Sequence, residues 1–357
     1  MIFCITLLSA MLAGQPAVSN EVDQATHVTL RGEAIPLSRV FGAFQAQSGN
    51  TITDYREQFG QPAPNPALTV DFNKMPFWPT FDRLLDQAGL TLYPYGEPRA
   101  LNVDAASDGK LAKRVGRANY RGPFRFEAIS LTARRDLQNP AGQSLVVSVE
   151  AAWEPRLQII YLTQRMADIE ATDDRGGRIS VVDRAAQPEI AMQSGVPLVN
   201  LDLPLRLPSR EVREITQLKG SLSATIAGRQ ETFSFSKVGT LKASRQRLAH
   251  VTVTLDKVLR SGDFLVVMLH VRFDEAGDAL ASHRQWILDN PAFLEDADGK
   301  RIPYESSEST SQGKNEAGVA YRFKTRQSPD DLTLIYQTPG VILVRQFDYE
   351  LKNIPLP

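Results

Sequence analysis

The densest group of potential metal ligands in the chain is an acidic turn at residues 295–299. Its sequence, Glu-Asp-Ala-Asp-Gly, resembles part of a calcium-binding loop, in which carboxylate oxygens surround the ion. If Gly299 took the sixth position of an EF-hand-like loop, Leu294 would fall at the first position, which needs an oxygen ligand. Arg301 would fall at the eighth position, which needs an aliphatic residue. The register therefore argues against calcium, and we expect a hairpin turn built on the Asp-Gly pair.

The four histidines are the other candidate metal ligands. His27 stands alone near the N-terminus, whereas His250, His270 and His283 lie in the C-terminal part of the chain. Their spacing matches no metal-binding motif, and His250 continues the polar side of an alternating strand. We therefore predict surface histidines, and neither a metal site nor a bound cofactor.

Catalytic motifs are the next feature to test. The sequence has no nucleophile elbow, no glycine-rich phosphate loop and no zincin motif. Carboxylates are abundant, however, and a glycosidase needs only two at a suitable separation, which a sequence does not display. A secreted carbohydrate-active or other hydrolytic enzyme therefore stays an alternative, although no catalytic residue is assigned. Of the tryptophans able to stack on a sugar, Trp153 is expected in a core, and Trp286 is kept as a candidate binding residue.

A run of basic side chains between residues 110 and 125 is the clearest candidate binding surface. It contains no acidic residue, and its members are Lys110, Lys113, Arg114, Arg117, Arg121 and Arg125. Such a run could dock to an anionic cell-wall polymer or a lipid headgroup. The alternative is a solvated linker or the exposed face of a short helix, which is the commoner outcome for a run of like charges. The candidate binding surface taken forward consists of Lys110, Lys113, Arg114, Arg117 and Arg121, together with Trp286.

Overall charge and length set limits on the class of protein. The chain has 357 residues, with 40 Lys and Arg against 41 Asp and Glu, which gives a net charge of −1. A balance of this kind argues against wholesale nucleic-acid binding. On length alone, two or three domains are expected.

The N-terminal residues have the layout of a secretory signal. Residues 1–19 carry no charged side chain, and the apolar run of residues 2–14 is too short to span a bilayer. Small residues at Ala17 and Ser19 predict cleavage before Asn20. The single cysteine, Cys4, lies inside this segment, so the mature chain would hold no disulfide and no Cys-based metal site. We expect a periplasmic or extracellular protein with no transmembrane segment in the mature chain.

Two strand-helix units are predicted between residues 28 and 95. In the first, a short strand leads to Ile35-Pro36-Leu37, and an apolar helical face ends at Ser48-Gly49. In the second, the alternating strand at residues 68–72 leads to Met75-Pro76-Phe77 and a helix that ends at Gly89. Another strand after Gly89 completes a small βαββαβ unit.

This ordered pair of motifs resembles the short N-terminal domain shared by secretins and TonB-dependent transporters. In that family the proline motif starts each helix and the glycine ends it. The resemblance covers about a fifth of the chain, and Phe77 and Trp78 depart from it because an aliphatic residue is usual there. Family members use the domain to contact other envelope proteins, so the resemblance implies binding and not catalysis.

From residue 125 onward the sequence consists of short alternating runs and repeats itself. The matched segments are residues 145–147 with 265–267, Trp153 with Phe273, 173–176 with 296–299, and 233–235 with 347–349. Short strands separated by turns are typical of β-sandwiches. We expect two copies, each with a core between its sheets to which Phe126, Ile129 and Val146 contribute.

The sequence thus predicts a multidomain protein of α+β and all-β class, with a small βαββαβ unit followed by two tandem β-sandwich domains. The expected divisions are a signal peptide (1–19), the α+β unit (20–104), a basic linker (105–124) and two sandwiches (125–243 and 244–357). The leading functional hypothesis is an exported, non-catalytic cell-envelope protein that binds another envelope protein or an anionic polymer. The alternatives are the hydrolytic enzyme and a structural spacer.

Overall fold

The computed structural model describes residues 22–106, 117–139, 142–192, 195–241, 243–276, 279–280 and 285–357. Strands make up most of this part of the chain. Three buried hydrophobic cores divide it into an N-terminal unit and two β units, which confirms the expectation of a β-rich protein with several units. None of its helices is long and apolar enough to cross a membrane. The expected signal peptide lies outside the described residues.

The N-terminal unit contains five strands and two helices. In chain order they are β1 (His27–Pro36), α1 (Leu37–Ser48), β2 (Thr51–Asp54), β3 (Ala67–Pro76), α2 (Phe77–Ala88), β4 (Leu90–Leu92) and β5 (Ala100–Ala105). Strands β1 and β3 form an antiparallel pair, and a second sheet has the order β2-β5-β4 with β2 and β5 parallel. The structure has one strand more than the predicted βαββαβ order. The additional strand is β5, which lies at the centre of the second sheet.

The strand-helix unit occurs twice with the same backbone conformation. Helices α1 and α2 have 12 residues each, follow a proline, and end at glycines in the left-handed region, Gly49 with φ 69° and Gly89 with φ 66°. The third residue before each helix also has a positive φ, 52° at Ala34 and 49° at Lys74. Glycine ends both helices because it lacks the Cβ that penalises this conformation. The sequence signals for helix start and end are therefore the ones that the structure uses.

The first β unit begins inside the predicted basic linker, because residues 119–121 form a strand that pairs with the next one. Its strands are β6 (Asn119–Arg121), β7 (Phe124–Arg134), β8 (Ser144–Trp153), β9 (Gln158–Gln164), β10 (Glu170–Asp173), β11 (Arg178–Ile179), β12 (Glu189–Ala191), β13 (Leu198–Leu205) and β14 (Glu214–Ala227). One sheet has the order β13-β8-β7-β6, and the other has the order β11-β10-β14-β9-β12. Both contribute to one buried core, as in a sandwich.

The second β unit is a single eight-stranded sheet. Its elements are β15 (Gln230–Ser236), β16 (Ser244–Leu248), β17 (Val251–Ser261), β18 (Phe264–Phe273), α3 (Gln285–Leu288), β19 (Ala292–Glu295), β20 (Arg301–Gln312), β21 (Glu316–Lys324) and β22 (Thr333–Pro339). The order is β15-β22-β19-β20-β21-β18-β17-β16. The sheet curves until its two end strands meet, where Gln246 Nε2 donates to the Ser234 carbonyl at 2.7 Å. It is thus a curved sheet around one core, where the sequence predicted two facing sheets.

The last strand of each copy completes the other copy. The C-terminal strand β23 (Ile342–Pro355) pairs with β14 of the first unit, whereas β15 pairs with β22 of the second. The two crossing connections are held to each other, because Gly228 N donates to the Val341 carbonyl and Gly340 N donates to the Arg229 carbonyl, both at 2.8 Å. Strand pairing therefore crosses the expected boundary between residues 243 and 244 in both directions.

The two acidic turns have the same geometry, which supports duplication of the β unit. One turn joins β10 to β11, and the other joins β19 to β20. The leading aspartates, Asp173 and Asp296, each accept through Oδ1 from the backbone N–H four residues later, at 2.7 and 2.9 Å. Gly176 and Gly299 both have φ 77°, which favours glycine. The prediction of hairpin turns is confirmed.

Two of the predicted core residues of the first unit are wrong. Phe126 is fully buried as expected, but Ile129 is 45% exposed and Val146 is only half-buried. The ladder between β7 and β8 shifts between Ala128 and Ser130, so that Ile129 lies at a bulge. A bulge turns the inserted side chain away from its alternating position. On β8 the inward residues are the neighbours of Val146, including Val147, because alternation alone does not fix which side faces the core.

Candidate binding cleft

A buried ion cluster fixes the N-terminal unit to the first β unit. Arg125 on β7 and Asp82 on α2 have fully buried side chains, and Arg125 Nε lies 2.8 Å from Asp82 Oδ2. Arg125 Nη1 bonds to Glu150 at 2.7 Å, and Nη2 bonds to Glu127. Burial by itself lowers the pKa of Arg125, but the three carboxylates more than offset this effect and raise it above its usual value. Arg125 therefore stays charged and holds three carboxylates together.

Tyr120 extends this cluster at its edge. Its hydroxyl donates to Asp82 Oδ2 at 2.7 Å. Burial, and then the negative charge of Asp82, raise the pKa of Tyr120 well above its ordinary value, so the hydroxyl keeps its proton. Since Tyr120 lies on β6 and Asp82 on α2, the hydrogen bond is a further link between the two units.

A second polar group links the same two units. The buried carboxylate of Glu154 accepts from Thr26 N at 2.9 Å, Thr26 Oγ1 at 2.7 Å and Asn50 Nδ2 at 3.1 Å, and it pairs with Arg156 Nε at 2.9 Å. Hydrogen bonds to a charged acceptor are stronger than those between neutral groups. Glu154 thus ties the chain before β1 and the start of β2 to the end of β8.

The tryptophan that departs from the family pattern also contributes to this contact. Trp78 is 1% exposed, and its Nε1 donates to the Pro123 carbonyl at 2.8 Å. An aliphatic side chain could not make this hydrogen bond. The departure at Trp78 is therefore explained by the attachment of the N-terminal unit to the first β unit.

A cleft of about 610 Å³ lies where the N-terminal unit and the two β units meet. This volume falls within the range typical of ligand sites, which often occur at domain junctions. Its apolar lining is formed by Pro98, Trp153, Pro155, Leu157, Ile159, Ile160, Met192, Pro197, Trp286 and Pro291. Its polar lining is formed by Arg99, Gln158, Gln230, Asp289, Asn290 and Gln337, with Gly195 at the wall.

Trp286 supplies the aromatic surface of the cleft. Its indole Nε1 donates to the Ala279 carbonyl at 3.0 Å, and its ring packs against Phe273 with centroids 5.8 Å apart. The ring is half-buried, whereas Trp153, which also lines the cleft, is 3% exposed. The prediction that Trp153 is a core residue is confirmed. Trp286 is thus a rigidly held ring with part of its surface open to the cleft.

Side-chain amides provide most of the hydrogen-bonding groups in the cleft. Gln230 Nε2 donates to Gln158 Oε1 at 3.2 Å, which joins the two β units across the cleft. Gln337 Nε2 donates to Thr232 at 3.3 Å. Each amide carries both donors and acceptors, so these groups can bind hydroxyls or other amides without a charge. Asn290 is more deeply placed, with Nδ2 bonded to Tyr336 and Thr338.

Arg99 lies at the edge of the cleft in an unusual backbone conformation. Its φ is 57°, although it is not glycine, and its backbone N–H donates to the Gly195 carbonyl at 2.8 Å. A non-glycine residue in this region carries a conformational cost, and such residues concentrate at functional sites. The conformation brings the N-terminal unit against the segment before β13 and leaves the Arg99 side chain exposed.

The chemistry available in the cleft is that of recognition. Among its described lining residues the only carboxylate is Asp289, which is exposed, and the only cation is Arg99. Glycoside hydrolysis normally requires two carboxyl groups flanking the bond. Asp82, Glu127 and Glu150 do form a cluster of carboxylates, but all three are bound to the Arg125 guanidinium. The arrangement suits a ligand held by contact with Trp286 and by amide hydrogen bonds.

The predicted basic surface is only partly described. Lys110, Lys113 and Arg114 lie outside the described residues. Arg117 and Arg121 are exposed, and Arg121 Nε donates to the Asp348 carbonyl on β23 at 3.0 Å. Among the described residues of the run, Arg117, Arg121 and Arg125 do not line the cleft, whereas Trp286 does.

Arg125 corrects one part of the sequence interpretation. It was counted with the basic run, yet its side chain is fully buried at the centre of the ion cluster. The reason is its place on β7, where it points into the contact with α2, while Arg121 precedes this strand. The predicted turn at 295–299 is confirmed, as described above, and His250 is exposed with Nδ1 3.4 Å from Asp274.

Sequence reasoning missed most of the residues at the cleft. Gln158, Gln230 and Gln337 lie on different strands, and only the exchange of strands between copies brings them together. Arg99 has no sequence signal, because its conformation depends on the contact with Gly195. Asp82 did offer a signal, since it is a carboxylate on the otherwise apolar buried side of a predicted helix.

No model of a known protein family matches the chain. No curated protein proved similar enough in sequence to count as a relative.

Proposed function

We propose that this chain is an exported, non-catalytic binding protein of the cell envelope, and that the cleft binds an uncharged stretch of an envelope polymer such as a glycan strand. The observation that carries the proposal is the composition of the cleft. A half-buried tryptophan and several side-chain amides surround a space of about 610 Å³ with one carboxylate and one guanidinium. A site with this lining favours a polar, uncharged ligand.

The amino-acid pattern supports the location. The charge-free apolar segment at residues 1–19 has the layout of a signal peptide. The N-terminal unit carries the two proline-to-glycine helix motifs that resemble the short domain of secretins and TonB-dependent transporters. We assign the unit to this domain type, with β5 as an additional strand. In that family the domain contacts envelope proteins, which is consistent with a binding role.

The rigid attachment of the units supports recognition better than a spacer role. A spacer needs only length, whereas here Arg125, Glu154 and Trp78 fix the orientation of the N-terminal unit with buried polar contacts. Buried polar groups are costly unless all are satisfied. When they are satisfied, they fix one orientation of the units, and a cleft formed by three units requires a fixed orientation.

Cosedimentation of the mature chain, residues 20–357, with insoluble chitin, cellulose and purified cell-wall sacculi tests the proposal. We expect the wild type to sediment with at least one of these polymers and Trp286→Ala to bind about tenfold more weakly, the scale of losing one aromatic contact. Val182→Ala is the matched control, since Val182 is 49% exposed and is not part of the cleft lining.

Three results would contradict the proposal. Equal sedimentation of the wild type and Trp286→Ala would show that the polymer does not bind in the cleft. Release of soluble sugar from any of the polymers would identify the hydrolytic alternative instead. If none of the polymers binds, the proposed ligand class is wrong, and the spacer and protein-binding hypotheses are left.

A further inference from the structure

The outer side of the β2-β5-β4 sheet carries an exposed aromatic strip that does not belong to the cleft. Tyr95 is 79% exposed, the most exposed aromatic side chain among the described large hydrophobic residues. Its ring contacts Tyr93 with centroids 5.8 Å apart, and Tyr93 contacts Tyr55 at 5.5 Å. These three residues, called the tyrosine strip below, form a row of contacting rings in which Tyr55 and Tyr93 are half-buried and Tyr95 is exposed.

The strip is built on a fixed turn and not on a loose loop. The buried amide of Asn102 accepts from Glu97 N at 3.1 Å and donates to the Glu97 carbonyl at 3.0 Å. Gly96 lies so close to this amide that a Cβ would approach Asn102 to 2.2 Å. The turn that carries Tyr95 is therefore pinned to β5 at both hydrogen-bonding groups of Glu97. This packing holds Tyr95 in its exposed position.

The surroundings of the strip are acidic. Glu57 and Glu97 are exposed, and Asp104 is half-buried on β5. Glu97 Oε2 accepts from Thr53, the residue two before Tyr55, at 3.3 Å. Arg56 is 4% exposed and is held by Asp54 at 2.6 Å, so its charge is already compensated. Among the described residues, Glu57 and Glu97 each lie two positions from a tyrosine of the strip, and Asp104 pairs with Thr91, two positions before Tyr93.

The carboxylates of this surface raise the pKa of Arg56. Its hydrogen bond with Asp54 is the largest influence and raises the pKa of Arg56, and the charges of Asp104 and Glu57 raise it further. Glu57 follows Arg56 in the chain, and Asp104 follows Val103, the β5 partner of Asp54, so both carboxylates belong to the same edge of the sheet. The next cation along the turn, Arg99, lines the cleft instead.

From these contacts we infer that the tyrosine strip docks a cationic segment, rich in arginine or lysine, of a partner protein. The face of a tyrosine ring attracts a guanidinium or ammonium group, and nearby carboxylates add attraction of the same sign. The carboxylates attract a cation over a distance, whereas a neutral glycan would benefit only from direct hydrogen bonds to them. The partner chemistry differs from that proposed for the cleft, so the two sites can fail separately.

Fluorescence anisotropy with a labelled peptide of alternating arginine and serine tests the inference. We expect saturable binding that weakens as salt is added, because exposed charges are screened. Tyr95→Ala should weaken binding about two- to fivefold, the scale of one cation–π contact at an exposed site. Tyr95→Phe should stay within about twofold of the wild type, because the ring face is retained. Glu57→Gln combined with Glu97→Gln should reduce both the affinity and the salt dependence.

Controls separate docking from general attraction and from misfolding. A peptide with glutamine in place of arginine should not bind, and Leu137→Ala, at another exposed apolar side chain, should bind like the wild type. Since Tyr95 is mostly exposed, the unfolding midpoint of Tyr95→Ala should match that of the wild type. Equal binding by Tyr95→Ala, or equal binding of the glutamine peptide, would overturn the inference whatever the cleft binds.

Discussion

At the residue scale, single buried polar groups decide how the units are joined. Arg125 pairs with Asp82, Glu127 and Glu150 at once, so one buried guanidinium faces three carboxylates. Removal of one partner from such a group leaves uncompensated buried charge, which costs far more than the loss of an exposed pair. Surface ion pairs of the same chain, such as Arg31 with Asp71, have side chains that are 63% and 75% exposed.

Arg125→Ala should therefore destabilise the protein strongly. We expect a loss of about 3–5 kcal/mol in the free energy of unfolding, measured by urea denaturation. Arg31→Ala is the matched control and should cost less than about 1 kcal/mol, because its ion pair is solvated. A cost for Arg125→Ala no larger than that of the control would show that the buried cluster does not hold the units together.

A second residue-scale prediction concerns pH. Partial burial raises the pKa of Asp54, but its hydrogen bonds and ion pair with Arg56 lower it by more, so the folded value lies below normal. A lowered folded pKa gives stability that is present above the unfolded value of about 4 and is lost as the pH falls through the folded value. The difference in unfolding free energy between the wild type and Asp54→Asn should shrink below about pH 4. A difference that stays constant down to pH 2 would contradict the assignment.

At the scale of elements, the sequence predicted local structure well and long-range pairing poorly. The two helices begin and end at the prolines and glycines that mark them, and both acidic turns form, because these signals act over a few residues. The swap of β15 and β23 between the copies has no local signal, since both strands carry the same aromatic alternation. The cleft amides depend on that swap, so they were not predictable either.

The exchange of strands gives a prediction at the same scale. A chain that ends at Gly340 lacks β23, although β23 follows the second unit in sequence. We expect the first unit to lose its fold, because Phe347 and Tyr349 pack on Phe124 and Phe126 with centroids 4.3 and 4.6 Å apart. Near-ultraviolet circular dichroism would measure the loss of fixed aromatic packing.

The matched control is the same truncated chain with a peptide of residues 341–357 added. Pairing along β14 should restore the aromatic signal, since the strand is supplied from outside. A truncated chain with an unchanged spectrum would contradict the pairing of β23 with the first unit.

At the scale of the whole molecule, the three units are attached to one another and are not separate modules. Buried polar contacts fix the N-terminal unit to the first β unit, and exchanged strands fix the two β units to each other. The cleft exists only because all three are held in place, since each contributes to its lining. The tyrosine strip lies on the N-terminal unit, and two of its residues, Tyr93 and Tyr95, belong to the same connection between β4 and β5 as Arg99. One connection thus reaches two different surfaces.

The central claim is that the cleft binds a neutral polymer segment against Trp286. The chain has three tryptophans, and Trp78 and Trp153 are 1% and 3% exposed, so Trp286 is the one from which a ligand in the cleft would displace the most water. Titration of the mature chain with soluble chitin and cellulose oligosaccharides should shift its emission to the blue and saturate, as water is displaced from the ring. Trp286→Phe should abolish the shift. The same shift in Trp286→Phe, or no shift in the wild type at any concentration, would contradict the claim.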